Sequence, residues 1–181
     1  MDRRSFCSSL VALAALPAAA SGPGWPSRSL RIVTGGVGSV TDLRARWLAE
    51  RLAAQLGQPV LVDNKAGAGG LITMEAGVRS APDGYTIVVV HQGTVAANPH
   101  LYRALPYDPF RDFAPVTRLG VSPMVLVVNP ALGVRSLEEF RALGRTRAKP
   151  LAFGSPGIGT PPHLATELFK RAVGILSLIH I

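Results

Sequence analysis

Three glycine-rich segments carry the groups in this sequence that are best suited to bind an anion. They lie at residues 34–39, 63–70 and 154–160, and each follows a short apolar run and precedes a stretch with helical spacing. Glycine lets the backbone approach a ligand closely, and the N-terminus of a helix carries a partial positive charge. Such loops can orient a carboxylate or a phosphate with main-chain N–H groups alone.

Recognisable catalytic and metal-binding patterns do not occur in the sequence. It has no G-x-S-x-G or H-E-x-x-H motif, and its four histidines, His91, His100, His163 and His180, are too scattered for a metal site. The single cysteine, Cys7, excludes disulfides and cysteine-based zinc sites. We therefore expect no catalytic residue, no bound metal and no cofactor.

A dinucleotide-binding unit is the alternative that the first glycine segment leaves open. A strand, Gly36-x-Gly38, a helix and a second strand ending at Asp63 imitate that unit. The imitation is partial, because Thr41 stands where a third glycine would allow close packing of helix and strand. The alternative function is thus an exported dinucleotide-binding oxidoreductase. Residues 154–160 have the glycine spacing of a P-loop but lack its lysine, so nucleotide hydrolysis is not expected.

The composition predicts a folded domain with a basic surface. Of the 181 residues, 48% are hydrophobic and only 17% are charged, which excludes a disordered chain. The formal net charge of +8 raises the question of nucleic-acid binding. The arginines are spread along the predicted helices, however, and only 6% of the residues are aromatic, so we expect no nucleic-acid partner. Such a surface would attract anionic ligands.

Residues 1–20 have the pattern of a secretory signal peptide. Arg3 and Arg4 precede an apolar run at 10–16, and small residues end the segment at Ala20. The apolar run is too short to span a bilayer. We expect cleavage near Ala20 and a periplasmic mature protein. The arginine pair fits the general secretory route and the twin-arginine route about equally well.

The elements between the glycine segments predict an α/β fold with a parallel sheet covered by helices. Strands are expected at 30–33, 60–62, 85–90 and 151–153, and helices at 41–56, at 71–79, from 136 and from about 162. Helical spacing places large apolar residues on one face of the first helix: Leu43, Trp47, Leu48, Leu52 and Leu56. Because loops after parallel strands lie at one edge of a sheet, the glycine segments should lie together.

Ordered sequence blocks between about residues 25 and 174 resemble the substrate-binding proteins of tripartite tricarboxylate transporters, also called Bug receptors. The blocks are WPSR at 25–28, VTD at 40–42, LGQPV at 56–60, DNKAGAGG at 63–70, APDGYT at 81–86, NPHLY at 98–102, LPYDP at 105–109, DFAPV at 112–116 and GSPGIGT at 154–160. The resemblance implies a type II periplasmic-binding-protein clamshell of two lobes and a non-enzymatic role. It also implies capture of a small organic anion, namely a di- or tricarboxylate, an acidic amino acid or an aromatic acid. The implied partners are the membrane subunits of the transporter, and the receptor itself is expected to be a monomer.

The same resemblance places the ligand between the lobes, on main-chain N–H groups and hydroxyls of the loops. Carried over by position, the candidate ligand-binding residues of the first lobe are Gly35, Gly36, Gly38, Ser39, Thr41, Asp42, Gly67, Ala68, Gly69, Gly70, Gln92, Gly93 and Thr94. Those of the second lobe are Ser155, Gly157, Gly159, Thr160 and His163. Asp42 is expected to reach a carboxylate only through a bridging water or donor.

The resemblance also implies a division of the chain. Residues 25–122 would form the N-terminal portion of the first lobe and residues 123–174 an incomplete second lobe, with the interlobe crossing near 121–125. Family chains continue far beyond residue 181, so only the N-terminal part of the clamshell is expected. Residues 175–181 resemble a translated sequencing adapter more than family sequence, and we expect this tail to be artefactual.

Overall fold

The first three strands form one parallel sheet in a computed structural model that describes residues 24–147, 149–175 and 177–180. The strands are β1 (Leu30–Thr34), β2 (Val60–Asn64) and β3 (Thr86–Val89), in the order β2-β1-β3. Ile32 of β1 stands opposite Val62 of β2 and Ile87 of β3. β1 is thus the central strand, and the predicted parallel sheet is confirmed.

Helices connect these strands. Helix α1 (Val40–Leu56) links β1 to β2, and α2 (Leu71–Val78) links β2 to β3 after a 3-10 turn at Ala68–Gly70. Local sequence sets the ends of α1, since the Ser39 hydroxyl accepts a hydrogen bond from the Asp42 N–H and Gly57 ends the helix with φ +64°. After β3, a π-helical turn at Gly93–Ala97 leads into the short α3 (Asn98–Leu101).

A second, two-stranded parallel sheet follows. It pairs β4 (Leu151–Gly154) with β5 (Ser177–His180), and α5 (Pro161–Val173) connects the two strands. Before β4 come a 3-10 turn at Pro130–Leu132 and α4 (Leu137–Thr146). The apolar stretch 114–129 contains neither helix nor strand.

The core lies between β1 and α1, and it corrects one expectation about α1. Leu30, Ile32 and Val33 are almost fully buried, and small alanines, Ala45 and Ala49, bring α1 close to the sheet. The predicted apolar face of α1 is therefore only partly its packed face: Leu43 is 61% exposed and Trp47 is 53% exposed. Periodicity alone selected the large side chains, whereas close packing on the sheet selects the small ones.

Some expectations stay predictions. The signal peptide at 1–20 lies outside the described residues. The division at residue 122 is untested, as is the origin of the tail at 175–181, although 177–180 contribute β5. Within the described part of the chain, no helix is both long enough and apolar enough to cross a membrane.

Candidate ligand-binding site

The loops after the three strands begin side by side at one edge of the sheet. Thr34 at the end of β1 stands opposite Asn64 of β2 and Val89 of β3. We call the loops that follow loop A (residues 35–39), loop B (65–70) and loop C (90–94). Loop D (155–160) follows β4 and precedes α5. The predicted glycine segments therefore supply loops A, B and D.

Asp42 organises loop A from within the protein. Its side chain is 2% exposed, and its carboxylate accepts hydrogen bonds from the Gly38 N–H and from Asn64 Nδ2, each at 2.8 Å. Arg46 Nε lies 3.1 and 3.2 Å from the two carboxylate oxygens. Asn64 Nδ2 also donates to the Gly35 carbonyl at 2.7 Å. Asp42 thus ties the first turn of α1 to loop A and to the end of β2.

These donors hold the pKa of the Asp42 carboxyl at about 2. The hydrogen bond from Asn64 contributes most, followed by those from the Gly38 N–H and from Arg46. A carboxylate so fully occupied is suited to positioning the loop rather than to touching an anionic ligand.

This pKa sets a testable acid sensitivity. Because the folded pKa lies below the ordinary value of 3.8, the stabilisation is present above about pH 4 and is lost as the pH falls through about 2. We expect the complete receptor to lose stability more steeply over that interval than its Asp42→Asn variant, in urea unfolding at a series of pH values. Glu50→Gln, an exposed change on the same helix, is the control. Equal pH slopes for Asp42→Asn and the parent would contradict the assignment.

Loop A leaves main-chain donors open. Within the part of the chain that the structure describes, no acceptor lies in hydrogen-bond range of the Gly35 and Gly36 N–H groups. The Ser39 hydroxyl caps α1 and lies 3.0 Å from the Thr41 hydroxyl. A Cβ placed on Gly35 would lie 3.2 Å from Thr41 Oγ1, so the two hydroxyls border the open amides.

Loops B and C pack against each other through glycine. Gly69 and Gly70 have φ values of +60° and +91°, a conformation that glycine adopts without strain. A Cβ on Gly70 would overlap Thr94 Cγ2. Thr94 itself is 1% exposed, and its hydroxyl donates to the His91 carbonyl at 2.7 Å. The Thr94 side chain therefore stabilises loop C and is not itself open to a ligand.

Loop D is built in the same way. The Ser155 hydroxyl accepts from the Gly157 N–H at 3.3 Å, and the Thr160 hydroxyl donates to the Gly157 carbonyl at 2.6 Å. His163, in the first turn of α5, accepts from the Gly159 N–H through Nδ1 at 3.3 Å. The predicted polar residues of this region thus shape the turn in front of α5.

Loop D contacts loops B and C directly, because its backbone carbonyls lie against glycines of those loops. A Cβ on Gly69 would overlap the Ile158 carbonyl oxygen, and a Cβ on Gly93 would overlap the Gly159 carbonyl oxygen. A Cβ on Gly159 would lie 2.8 Å from Oδ1 of Asn98. Asn98 is fully buried, and that oxygen has no hydrogen-bond partner among the described residues.

The structure therefore brings most of the predicted residues together. Loops B, C and D meet through Gly69, Gly70, Gly93, Thr94 and Gly159. Loop A lies against loop B, since a Cβ placed on Gly36 would lie 3.5 Å from the Cβ of Ala66. Gln92 is exposed beside them. Their roles as ligand contacts stay predictions. Among the described residues, no group of acidic, histidine or cysteine side chains could hold a metal ion.

Two residues near this junction were not selected from the sequence. His91 lies in loop C directly before Gln92, and Asn98 begins α3, where its N–H donates to the Gly93 carbonyl. The Gly93 N–H bonds the His91 ring within loop C, and Asn98 Nδ2 donates to the Tyr107 hydroxyl. Their positions against loops B and D depend on tertiary packing, which no local pattern in the sequence records.

A family model described as "Tripartite tricarboxylate transporter family receptor" matches residues 44–181. The chain belongs to this family. The family is one of receptors and not of enzymes, which agrees with the expectation that this chain is not an enzyme.

Named relatives agree with the family. The chain is 39% identical over 166 residues to Protein BugT of Bordetella pertussis. The aligned residues make up 91% of this chain and 51% of BugT. Among solved structures, MatC from Rhodopseudomonas palustris with bound malate has a TM-score of 0.78 and 30% identity over 86% of this chain and 53% of its own. Rpa4515 of R. palustris with adipate has a TM-score of 0.76 and 32% identity, over 86% and 52%.

These matches confirm the predicted periplasmic-binding-protein fold. The chain spans about half the length of the curated relatives and solved structures it matches.

Proposed function

We propose that the receptor that carries this chain is a periplasmic solute-binding protein for a small organic carboxylate. It would deliver this ligand to the membrane subunits of a tripartite tricarboxylate transporter. The observation that carries the proposal is the meeting of loop D with loops B and C beside the open amides of loop A. Ligand capture would close the two lobes over that junction.

Main-chain donors and helix ends give this junction its preference for anions. Unpaired N–H groups at Gly35 and Gly36 face no protein acceptor in the described residues. Helix α5 has 13 residues with no acidic side chain in its first turn, so the positive end of its dipole is not neutralised locally. The net charge of +8 would add a favourable long-range field for an anion.

A dicarboxylate is the substrate class that we propose first, within the wider class of organic acids expected from the sequence. MatC is described with malate and Rpa4515 with adipate, and both ligands carry two carboxylates. The open amides of loop A and the positive end of α5 next to loop D suit a ligand with an acidic group at each end. We also propose export before binding and a monomeric receptor.

A ligand panel on the complete receptor tests the proposal. We expect malate, adipate, citrate, glutamate or benzoate to raise the melting temperature, with at least one saturating in calorimetry. Ligand at 100 times its Kd should stabilise the receptor by about 2.7 kcal/mol. Dimethyl adipate, which has the same carbon chain without charge, is the control. The proposal fails if no carboxylate shifts the transition, and a retained nucleotide in the purified receptor would support the oxidoreductase alternative.

A further inference from the structure

The His91 ring lies where loops B, C and D meet. His91 follows β3 by two residues, and a Cβ on Gly70 of loop B would lie 3.5 Å from its Nε2. On its other side, a Cβ on Gly93 would lie 3.0 Å from Nδ1 and Cε1. Gly93 in turn contacts the carbonyl of Gly159 in loop D. The ring is therefore part of the junction where the ligand is proposed to bind.

The hydrogen bonding of the ring fixes its tautomer. The Gly93 N–H donates to Nδ1 at 3.1 Å, so Nδ1 is an acceptor and the proton of the neutral ring sits on Nε2. Burial lowers the pKa of His91, which favours this neutral form near pH 7. His91 thus presents one fixed N–H donor.

That donor has no partner in the described protein. Nε2 forms no hydrogen bond to a described residue. Two side-chain atoms of the described residues are fully buried without a partner, Asn98 Oδ1 and Arg141 Nε, and Nε2 is not one of them, so it is not fully buried. Nε2 is therefore open to a bound molecule. Two other polar side chains of the candidate site differ in this respect, since Asp42 and Thr94 already make hydrogen bonds within the protein.

We propose that His91 is a ligand-binding residue: its Nε2–H donates a hydrogen bond to a carboxylate oxygen of the solute, while its Nδ1 holds the turn that carries Gly93. The inference rests on the proposed function and adds to it a side-chain donor that complements the main-chain amides. A neutral donor binds a carboxylate without the cost of burying a second charge.

Two substitutions separate the two nitrogens of the ring. In His91→Asn, the side-chain oxygen can accept from the N–H two residues ahead, as in an Asx turn, but the Nε2 donor is lost. In His91→Gln, the longer amide can place an N–H near the position of Nε2, while the short-range bond to Gly93 is weakened. Asn therefore tests ligand binding and Gln tests the turn.

Calorimetry on the complete receptor, with malate and adipate as probes, gives the readout. We expect His91→Asn to keep the ligand-free melting temperature of the parent but to raise Kd about 10- to 100-fold. His91→Gln should melt earlier without ligand yet retain more affinity than His91→Asn. If His91→Asn binds as tightly as the parent, or if affinity falls only in step with the ligand-free melting temperature, His91 is structural and the inference is overturned. A parent that binds neither these probes nor any other carboxylate instead overturns the proposed function itself.

Discussion

Gly93→Ala is expected to abolish tight ligand binding while leaving the three-stranded sheet folded. An alanine Cβ at this position would overlap the Gly159 carbonyl oxygen of loop D and would lie 3.0 Å from the His91 ring. Gly93 does not have a positive φ, so alanine itself fits the local backbone. The added methyl group therefore acts against the contact between loops C and D, which the described structure already makes and which we propose belongs to the closed form.

The size of the effect follows from the rigidity of that contact. The overlapped atom is a backbone oxygen, which cannot rotate away as a side chain can, and overpacking of close-packed groups costs about 1–3 kcal/mol or more. If this overlap destabilises only the closed form, a smaller fraction of the receptor is closed, and the apparent affinity falls in proportion to that fraction. A penalty near the upper end corresponds to a loss of about 100-fold, since 1.4 kcal/mol is a factor of ten.

Gly154→Ala is the matched control for this experiment. Gly154 ends β4, next to loop D; it has no positive φ, and a Cβ placed there meets no atom within 4 Å. Calorimetry gives the affinities, and small-angle scattering with and without ligand gives the degree of closure. We expect Gly154→Ala to match the parent in both. A Gly93→Ala receptor that contracts on ligand addition and binds like the parent would show that the C–D contact is not part of the closed state.

Structural features that depend on residues close together in the sequence were predicted well. Apolar runs marked β1 to β4, α1 was expected from about residue 41 and begins at Val40, and its end was expected at Gly57. The N-cap is Ser39 and was not predicted. Loops A and B follow β1 and β2 of one parallel sheet, which is enough to place them at the same edge. Loop D follows β4 of the second sheet, so its position against loops B and C depends on tertiary packing. The family resemblance rested on ordered blocks that include the segments of loops B and D, and the family match at 44–181 confirms it.

Features that depend on tertiary partners were not predictable from the sequence. Gly38 and Arg46 lie four residues from Asp42, but Asn64, the donor that lowers its pKa most, reaches the carboxylate only once β1 and β2 pair. The packed face of α1 was misjudged because a helix that lies close to a sheet favours small side chains, here Ala45 and Ala49. The open Nε2 of His91 likewise depends on what loop B places around the ring, which the sequence does not state.

A buried hydrogen-bond network supports loop C from behind. The Tyr107 hydroxyl donates to the Thr94 carbonyl at 2.6 Å and accepts from Asn98 Nδ2 at 3.1 Å. Tyr107 is 5% exposed and Asn98 is fully buried. Burial raises the pKa of the Tyr107 hydroxyl, which therefore stays protonated as a donor at neutral pH. One phenol thus joins the turn at Thr94 to the start of α3.

Tyr107→Phe should destabilise the complete receptor by about 2–4 kcal/mol. The ring would remain, including its edge-on packing against Phe113 at 6.3 Å between centroids, so the change isolates the hydroxyl. Its loss leaves the Thr94 carbonyl and Asn98 Nδ2 without their partner, and each buried unpaired group costs about 1–3 kcal/mol. Because Asn98 Oδ1 already lacks a partner among the described residues, the whole side-chain amide would then be unsatisfied by them.

Tyr85→Phe supplies the comparison that decides whether burial is the cause. The Tyr85 hydroxyl also makes two hydrogen bonds, at 2.9 Å to the Ser27 N–H and at 3.1 Å to the Ser27 hydroxyl, but both are exposed, so water can replace the lost partner. Urea unfolding of the two variants should show a much larger loss for Tyr107→Phe. Weaker carboxylate binding should accompany it, because Thr94 and Asn98 hold loop C against loop D. Equal losses for the two variants would mean that loop C keeps its position without the network, and the packing of Gly70 and Gly93 alone would then have to position it.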